Sequence, residues 1–120
     1  HAKARLGIYD LAARWLSSLT QLSVEIEGHA LGGGMLKLEP KEAESVLVPC
    51  SLRPEILRPE TARDFDVRLR SAEAAKAREL ADDLYLRAEL GLTAADCHAL
   101  LNGALALRNR RTQRKTAPQP

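Results

Sequence analysis

The stretch SAEAAKARELADDLYLRAELGLTAADCHALLNGALAL, Ser71 to Leu107, decides the fold class. Four alanines between Ala72 and Ala77 raise helix propensity, and neither Gly nor Pro interrupts before Gly91. Ala77, Leu80, Ala81, Leu84 and Ala88 fall on one face of a helix over 71–90. Gly91 suits the left-handed position that ends such a helix. Thr93 then opens the next one with a capping box to Asp96, and Leu92 is placed to staple onto Cys97. The second helix turns Cys97, Leu100, Leu101, Ala104, Leu105 and Leu107 inward, which predicts an antiparallel helical hairpin across a tight Gly91-Leu92 turn. Gly103 inside it costs about 1 kcal/mol relative to Ala and points to a close helix crossing.

Working back from this hairpin, Thr61 to Arg70 reads as helix. Residues 49–59 hold three prolines and little periodicity, a crossing segment that Leu52, Ile56 and Leu57 pin to the core. Near the N-terminus, Ile8, Leu11, Ala12, Trp15, Leu16 and Leu19 recur at helical spacing, so Ala2 to Thr20 is expected to be an amphipathic helix with Trp15 in the core. The period then changes. Leu22, Val24 and Ile26 alternate with Ser23, Glu25 and Glu27, as in a strand with one wet face. After Gly32-Gly33-Gly34, Leu36 and Leu38 alternate with Lys37 and Glu39. Two short strands around a glycine-rich connection predict a β-hairpin, or the edge of a sheet continued elsewhere. Pro40 suits the first turn of a short helix that Glu39, Glu42 and Glu44 favour through its dipole.

The expected fold is mainly α with a small β-hairpin or short sheet, closed by a helical C-terminal hairpin. Residues 1–49 form the N-terminal helix and glycine-rich β element, 50–60 the connection, 61–111 the helical hairpin, and 112–120 a disordered basic tail.

The 120 residues suit one compact domain and fall short of a complete cofactor enzyme. The net charge of +2 is unevenly spread. Arg108, Arg110, Arg111, Arg114 and Lys115 are five of the 18 basic residues, which leaves 13 against 16 acidic groups in residues 1–107, a net of −3. An acidic body with a basic end is a candidate for contact with a polyanion, although short basic tails also serve solubility. Arg108, Arg111 and Lys115, spaced three and four apart, share one face of an extended helix and suit phosphate contacts; they equally suit a solvated cationic helix end.

The glycine run also has two readings. Gly32, Gly33 and Gly34 followed by Lys37 offer unhindered amides and a cation to a phosphate, or they form a plain strand connection. They match neither a Walker loop nor a dinucleotide fingerprint. His29 and His98 lie in different elements, and Asp82-Asp83 reads as a solvated, salt-bridged pair. Neither catalytic nor metal-binding residues are expected, and Cys50 and Cys97 read as free thiols of a cytoplasmic protein. No run approaches a membrane span. The chain opens on His1 and its one methionine is Met35, as in a fragment or a processed product.

Leu31-Gly32-Gly33-Gly34-Met35-Leu36-Lys37-Leu38-Glu39-Pro40-Lys41-Glu42-Ala43-Glu44, then Val46-Leu47-Val48-Pro49, resemble a segment toward the C-terminus of N6-adenine-type, S-adenosylmethionine-dependent DNA methyltransferases of restriction-modification systems. The resemblance covers Thr20 to Pro49 and, more loosely, Leu86 to Arg111. The family's Asn-Pro-Pro-Tyr type motif is missing from this sequence, as is a glycine-rich cofactor strand. The resemblance therefore implies a non-catalytic C-terminal fragment that contributes to DNA binding or target recognition, with no cofactor of its own and S-adenosylmethionine held by the parent protein. Its partners would be DNA, the catalytic domain or a homodimer mate. The competing reading is a helical protein-interaction or dimerisation module without a DNA role.

Overall fold

The computed structural model describes residues 8–50, 59–71 and 73–116. The elements in chain order are α1 (Ile8–Trp15), α2 (Ser18–Glu27), β1 (His29–Ala30), a 3-10 turn (Gly32–Gly34), β2 (Leu36–Lys37), α3 (Pro40–Ala43), α4 (Pro59–Arg70), α5 (Ala74–Ala81), a π-helical segment (Asp82–Glu89) and α6 (Ala94–Thr116). The fold is mainly helical with one two-stranded antiparallel hairpin, as the sequence predicts. Its register pairs His29 with Lys37 and Ala30 with Leu36. Leu52, Ile56 and Leu57 lie outside the described residues.

The apolar core gathers Ala13 of α1, Phe65 of α4, Ala77 and Ala81 of α5 and Tyr85 of the π segment, with Leu16, Leu80 and Leu84 packed around them. Small residues dominate this list, and much of the remaining interior is polar. Asp10, Arg14, Ser17, Ser18, Thr20, Ser23 and Asp82 are all buried. That polar interior accounts for most departures from the sequence reading.

On α1, Asp10, Ala13 and Arg14 face inward, whereas Leu11 and Trp15 are exposed, which corrects the placement of Trp15 in the core. Arg14 is fully buried because its charge is matched on every side. Its Nε donates to Asp10 Oδ2 at 3.1 Å, and its Nη1 and Nη2 donate to the Glu89 carboxylate at 2.7 and 3.0 Å. Nη1 also donates to the Pro49 carbonyl at 2.9 Å, and the guanidinium lies 4.4 Å from the Tyr85 ring centroid. Burial disfavours this charge, but the hydrogen bonds to Glu89 and Asp10 outweigh it and raise the Arg14 pKa.

The strand expected over Leu22 to Ile26 is helix. Ser17 caps α2 by accepting the Thr20 amide proton at 3.3 Å, so the long first helix breaks here into α1 and α2. The alternation misleads because its polar members are not wet. Thr20 Oγ1 donates to the Leu47 carbonyl at 2.8 Å and the Leu47 amide donates to Ser23 Oγ at 2.8 Å, fastening the chain after α3 along α2. β1 begins later, at His29, beyond the Gly28 C-cap.

The uninterrupted helix expected from Ser71 to Leu90 is also revised: it starts at Ala74 and changes to π geometry at Asp82. The wider turn carries Tyr85 and Leu86 into the interior and leaves Ala88 exposed. Asp82, read as solvated, is buried. It accepts from the Ser18 amide at 2.7 Å, the Ser18 hydroxyl at 2.6 Å and Arg78 Nη1 at 2.8 Å. Asp83 does stay exposed, with Arg87 at 3.9 Å.

Gly91 takes φ +75° at the helix end, and the Thr93–Asp96 capping box forms through reciprocal bonds of 2.9 and 3.1 Å. Those bonds hold the Asp96 carboxyl below its ordinary pKa. Cys97 is buried, and burial pushes its thiol pKa up, as suits a core residue. The main partner of α6, however, is α2 and not the preceding helix. An added Cβ on Gly103 would lie 3.2 Å from Leu22 Cδ1, and Arg111 pairs with Glu25, so α2 and α6 run in the same sense. The close crossing predicted from Gly103 is therefore present, with a different helix. α6 also continues to Thr116, so residues 112–116 of the expected disordered tail are helical.

Candidate nucleic-acid interface

The hairpin follows α2 after a single cap residue, so the orientation of α2 fixes where the glycine turn lies. Gly33 and Gly34 adopt φ of +82° and +79°, which residues with a Cβ rarely adopt. Leu31 N donates to the Met35 carbonyl at 2.7 Å and closes the loop. Pro40 starts α3, whose capping box joins Glu39 and Glu42. Lys37 Nζ lies 3.1 Å from Glu39 Oε1, and His29 Nε2 lies 2.5 Å from Glu42 Oε2.

Arg111 joins this turn to the last helix. Its Nε and Nη2 donate to the two Glu25 carboxylate oxygens at 2.9 and 2.8 Å, and its Nη1 donates to the Gly34 carbonyl. The Arg111 side chain retains 17% of its exposure and that of Glu25 9%. Hydrogen bonding to Glu25 raises the Arg111 pKa. The fork geometry of guanidinium suits this three-way clamp, which a lysine would not reproduce.

Arg111 thus seats the glycine turn against the basic end of α6, while Arg108 and Arg110, two positions apart, face opposite sides of that helix and line different clefts. Between the turn and the helix lies a cleft of about 140 Å³ bordered by Ala30, Leu36, Leu107 and Arg110. Arg108 and Arg110 are exposed on α6. Arg114 and Lys115 belong to the same helix, and their side chains lie outside the described residues. Arg111 is turned inward, so it does not share an open face with Arg108. Lys37 is exposed beside its acidic neighbour.

Glu25 is the member that sequence reasoning missed. On a strand it would be one more wet carboxylate; on a helix it lies one turn beyond Leu22, on the side that meets α6. Helix N-capping by Ser17 was the available signal. A second surface residue draws notice by its freedom. A Cβ on Gly32 would meet nothing within 4 Å, and its φ is not in the left-handed region. Neither conformation nor internal packing among the described residues accounts for glycine there.

Among the described residues no group of three or more His, Cys, Asp or Glu side chains could hold a metal ion, and no helix is long and apolar enough to cross a membrane. Residues 1–86 match the family described as "Type II methyltransferase M.Eco57I, C-terminal domain". The chain belongs to that family, and it corresponds to a C-terminal accessory domain of a methyltransferase. The match takes in the whole Thr20 to Pro49 segment that carries the sequence resemblance and stops before α6. No curated protein and no solved structure matches the chain.

Proposed function

We propose that this domain is a non-catalytic DNA-contacting module of a DNA adenine methyltransferase. The observation that carries the reading is the Arg111 clamp, which holds the glycine turn against the basic end of α6. Amides of Gly32 to Gly34, Lys37, Arg108 and Arg110, continued along the helix by Arg114 and Lys115, supply phosphate contacts; Arg111 positions them. Contacts of this kind orient a protein on duplex DNA without reading sequence. Methyl transfer and the holding of S-adenosylmethionine belong to the catalytic part of the parent enzyme, which acts beside DNA in the cytoplasm.

Truncation after Leu107 would remove the Arg111 clamp along with the cations, so point substitutions give the cleaner test. Arg108→Glu combined with Arg110→Glu should weaken binding of the chain to several unrelated duplexes by a similar factor of at least tenfold. Unchanged affinity at low salt would refute the assignment.

A second reading rests on a different face. Leu11 and Trp15 stand one turn apart on α1 and remain 43% and 37% exposed, which suits docking onto the catalytic domain or a second copy. A solution mass of a dimer that Trp15→Ser converts to monomer, with no DNA binding by either form, would favour it.

A further inference from the structure

We infer that the outward face of the C-terminal half of α6 lies in the major groove of duplex DNA, where Asn109 reads an adenine. The inference rests on the DNA-contact reading above and deepens it, from phosphate contacts to base recognition. Helical register sets the geometry, since successive residues turn by about 100°. Leu107 and Arg111 are half-buried on the side that meets α2 and the hairpin, with Arg111 held by Glu25 and the Gly34 carbonyl. Asn109 is exposed on the opposite side, midway between Arg108 and Arg110. Arg108 borders the cleft beside Ala74 and Ala75 of α5, and Arg110 the cleft beside Ala30 and Leu36 of the hairpin. Both arginines are exposed, and neither guanidinium has a hydrogen bond or ion pair among the described residues.

The face between the two arginines differs from an ordinary solvated helix surface. Leu105, Ala106, Asn109, Thr112 and Gln113 are all exposed there, and none is charged. No carboxylate follows Asp96 in the sequence. The result is a neutral strip of amide, hydroxyl and methyl groups with a cation on each flank. A duplex major groove has the complementary pattern, two rows of phosphates bounding a floor of uncharged base edges, and at about 12 Å wide it admits one helix. An acidic protein surface would give no reason to confine the cations to two opposite flanks. Asn is the side chain that pairs bidentately with adenine, its carboxamide accepting from N6 and donating to N7. The Asn109 carboxamide has no hydrogen bond among the described residues, so both groups are available to a base. Ala106, one turn earlier, suits the methyl group of a neighbouring thymine. The flanking arginines fix the depth and register of the helix through phosphates, and Asn109 supplies the sequence information that such contacts lack.

The test uses the full chain and a pool of short duplexes with a randomised core, the bound fraction being recovered at low salt and sequenced. That fraction should be enriched in adenine at one position by roughly tenfold, and Asn109→Ala should remove the enrichment. Since Asn109 meets a base and no phosphate, the variant should keep the salt slope of pool binding. A duplex carrying 7-deazaadenine at the selected position lacks the major-groove N7 acceptor. It should bind the unaltered chain more weakly than the adenine duplex does, and bind Asn109→Ala equally well. Asn109 is exposed, and equal thermal melting will show that the variant keeps its fold. Binding without base preference, a preference that survives Asn109→Ala, or one indifferent to 7-deazaadenine would overturn base reading by Asn109 and leave the phosphate-contact reading intact. No binding even at low salt would overturn both.

Discussion

Arg14 shows how much of this domain turns on single buried charges. Its guanidinium joins α1 to the π segment and to Pro49, and without it the Asp10 carboxylate would be left buried and the Glu89 carboxylate partly so. Removing one member of a buried ion pair costs about 3 to 5 kcal/mol, mainly through the carboxylates left behind. Arg14→Met should therefore destabilise the chain by that order in urea unfolding, and a loss below about 1 kcal/mol would show the network to be dispensable. Tyr85 is the titrating reporter of the same cluster. Burial, then the Asp10 carboxylate that accepts its hydroxyl proton at 3.2 Å, raise its pKa above the ordinary 10.0. The folded state holds this proton more tightly than the unfolded chain, so the stabilisation is complete below pH 10 and is lost as pH rises toward the folded value. Stability should fall above pH 10, and Tyr85→Phe should flatten that alkaline decline.

At the scale of elements, two adjacent glycines separate conformation from contact. Gly33→Ala forces a Cβ onto φ +82° and should cost about 1 to 2 kcal/mol. Gly32→Ala meets no neighbour and should leave thermal melting unchanged while lowering DNA affinity; unaltered affinity would remove Gly32 from the interface. The same elements show what could be read from sequence. Local rules with local partners were legible: the Thr93–Asp96 box, the Gly91 stop, Pro40 opening α3 and the glycine turn of the hairpin. Misreadings arose where a polar residue is buried by a partner far along the chain. Asp82 is held by Ser18 and Ser23 by Leu47, each against a reading that turns it to water, and Arg14, paired with Glu89, takes the inward side of α1 in place of Trp15. The π turn at Asp82 had no local signal either, because Ala, Asp and Leu form ordinary helix equally well.

For the whole molecule, the uneven charge noted in the sequence takes a definite shape. Both halves of the candidate site were visible as residues, but their union was not, since it depends on the parallel packing of α2 and α6 and on the clamp from Arg111 to Glu25 and Gly34. The central claim is that this union makes a phosphate-binding surface. Its most direct measurement is the affinity of the full chain for duplex DNA across a salt series, with and without Arg108→Ala and Arg110→Ala. Affinity should fall linearly on a log–log plot, and the slope should shallow by roughly 0.9 for each arginine that meets a phosphate. A slope unchanged by the double substitution, or binding indifferent to salt, would contradict the account.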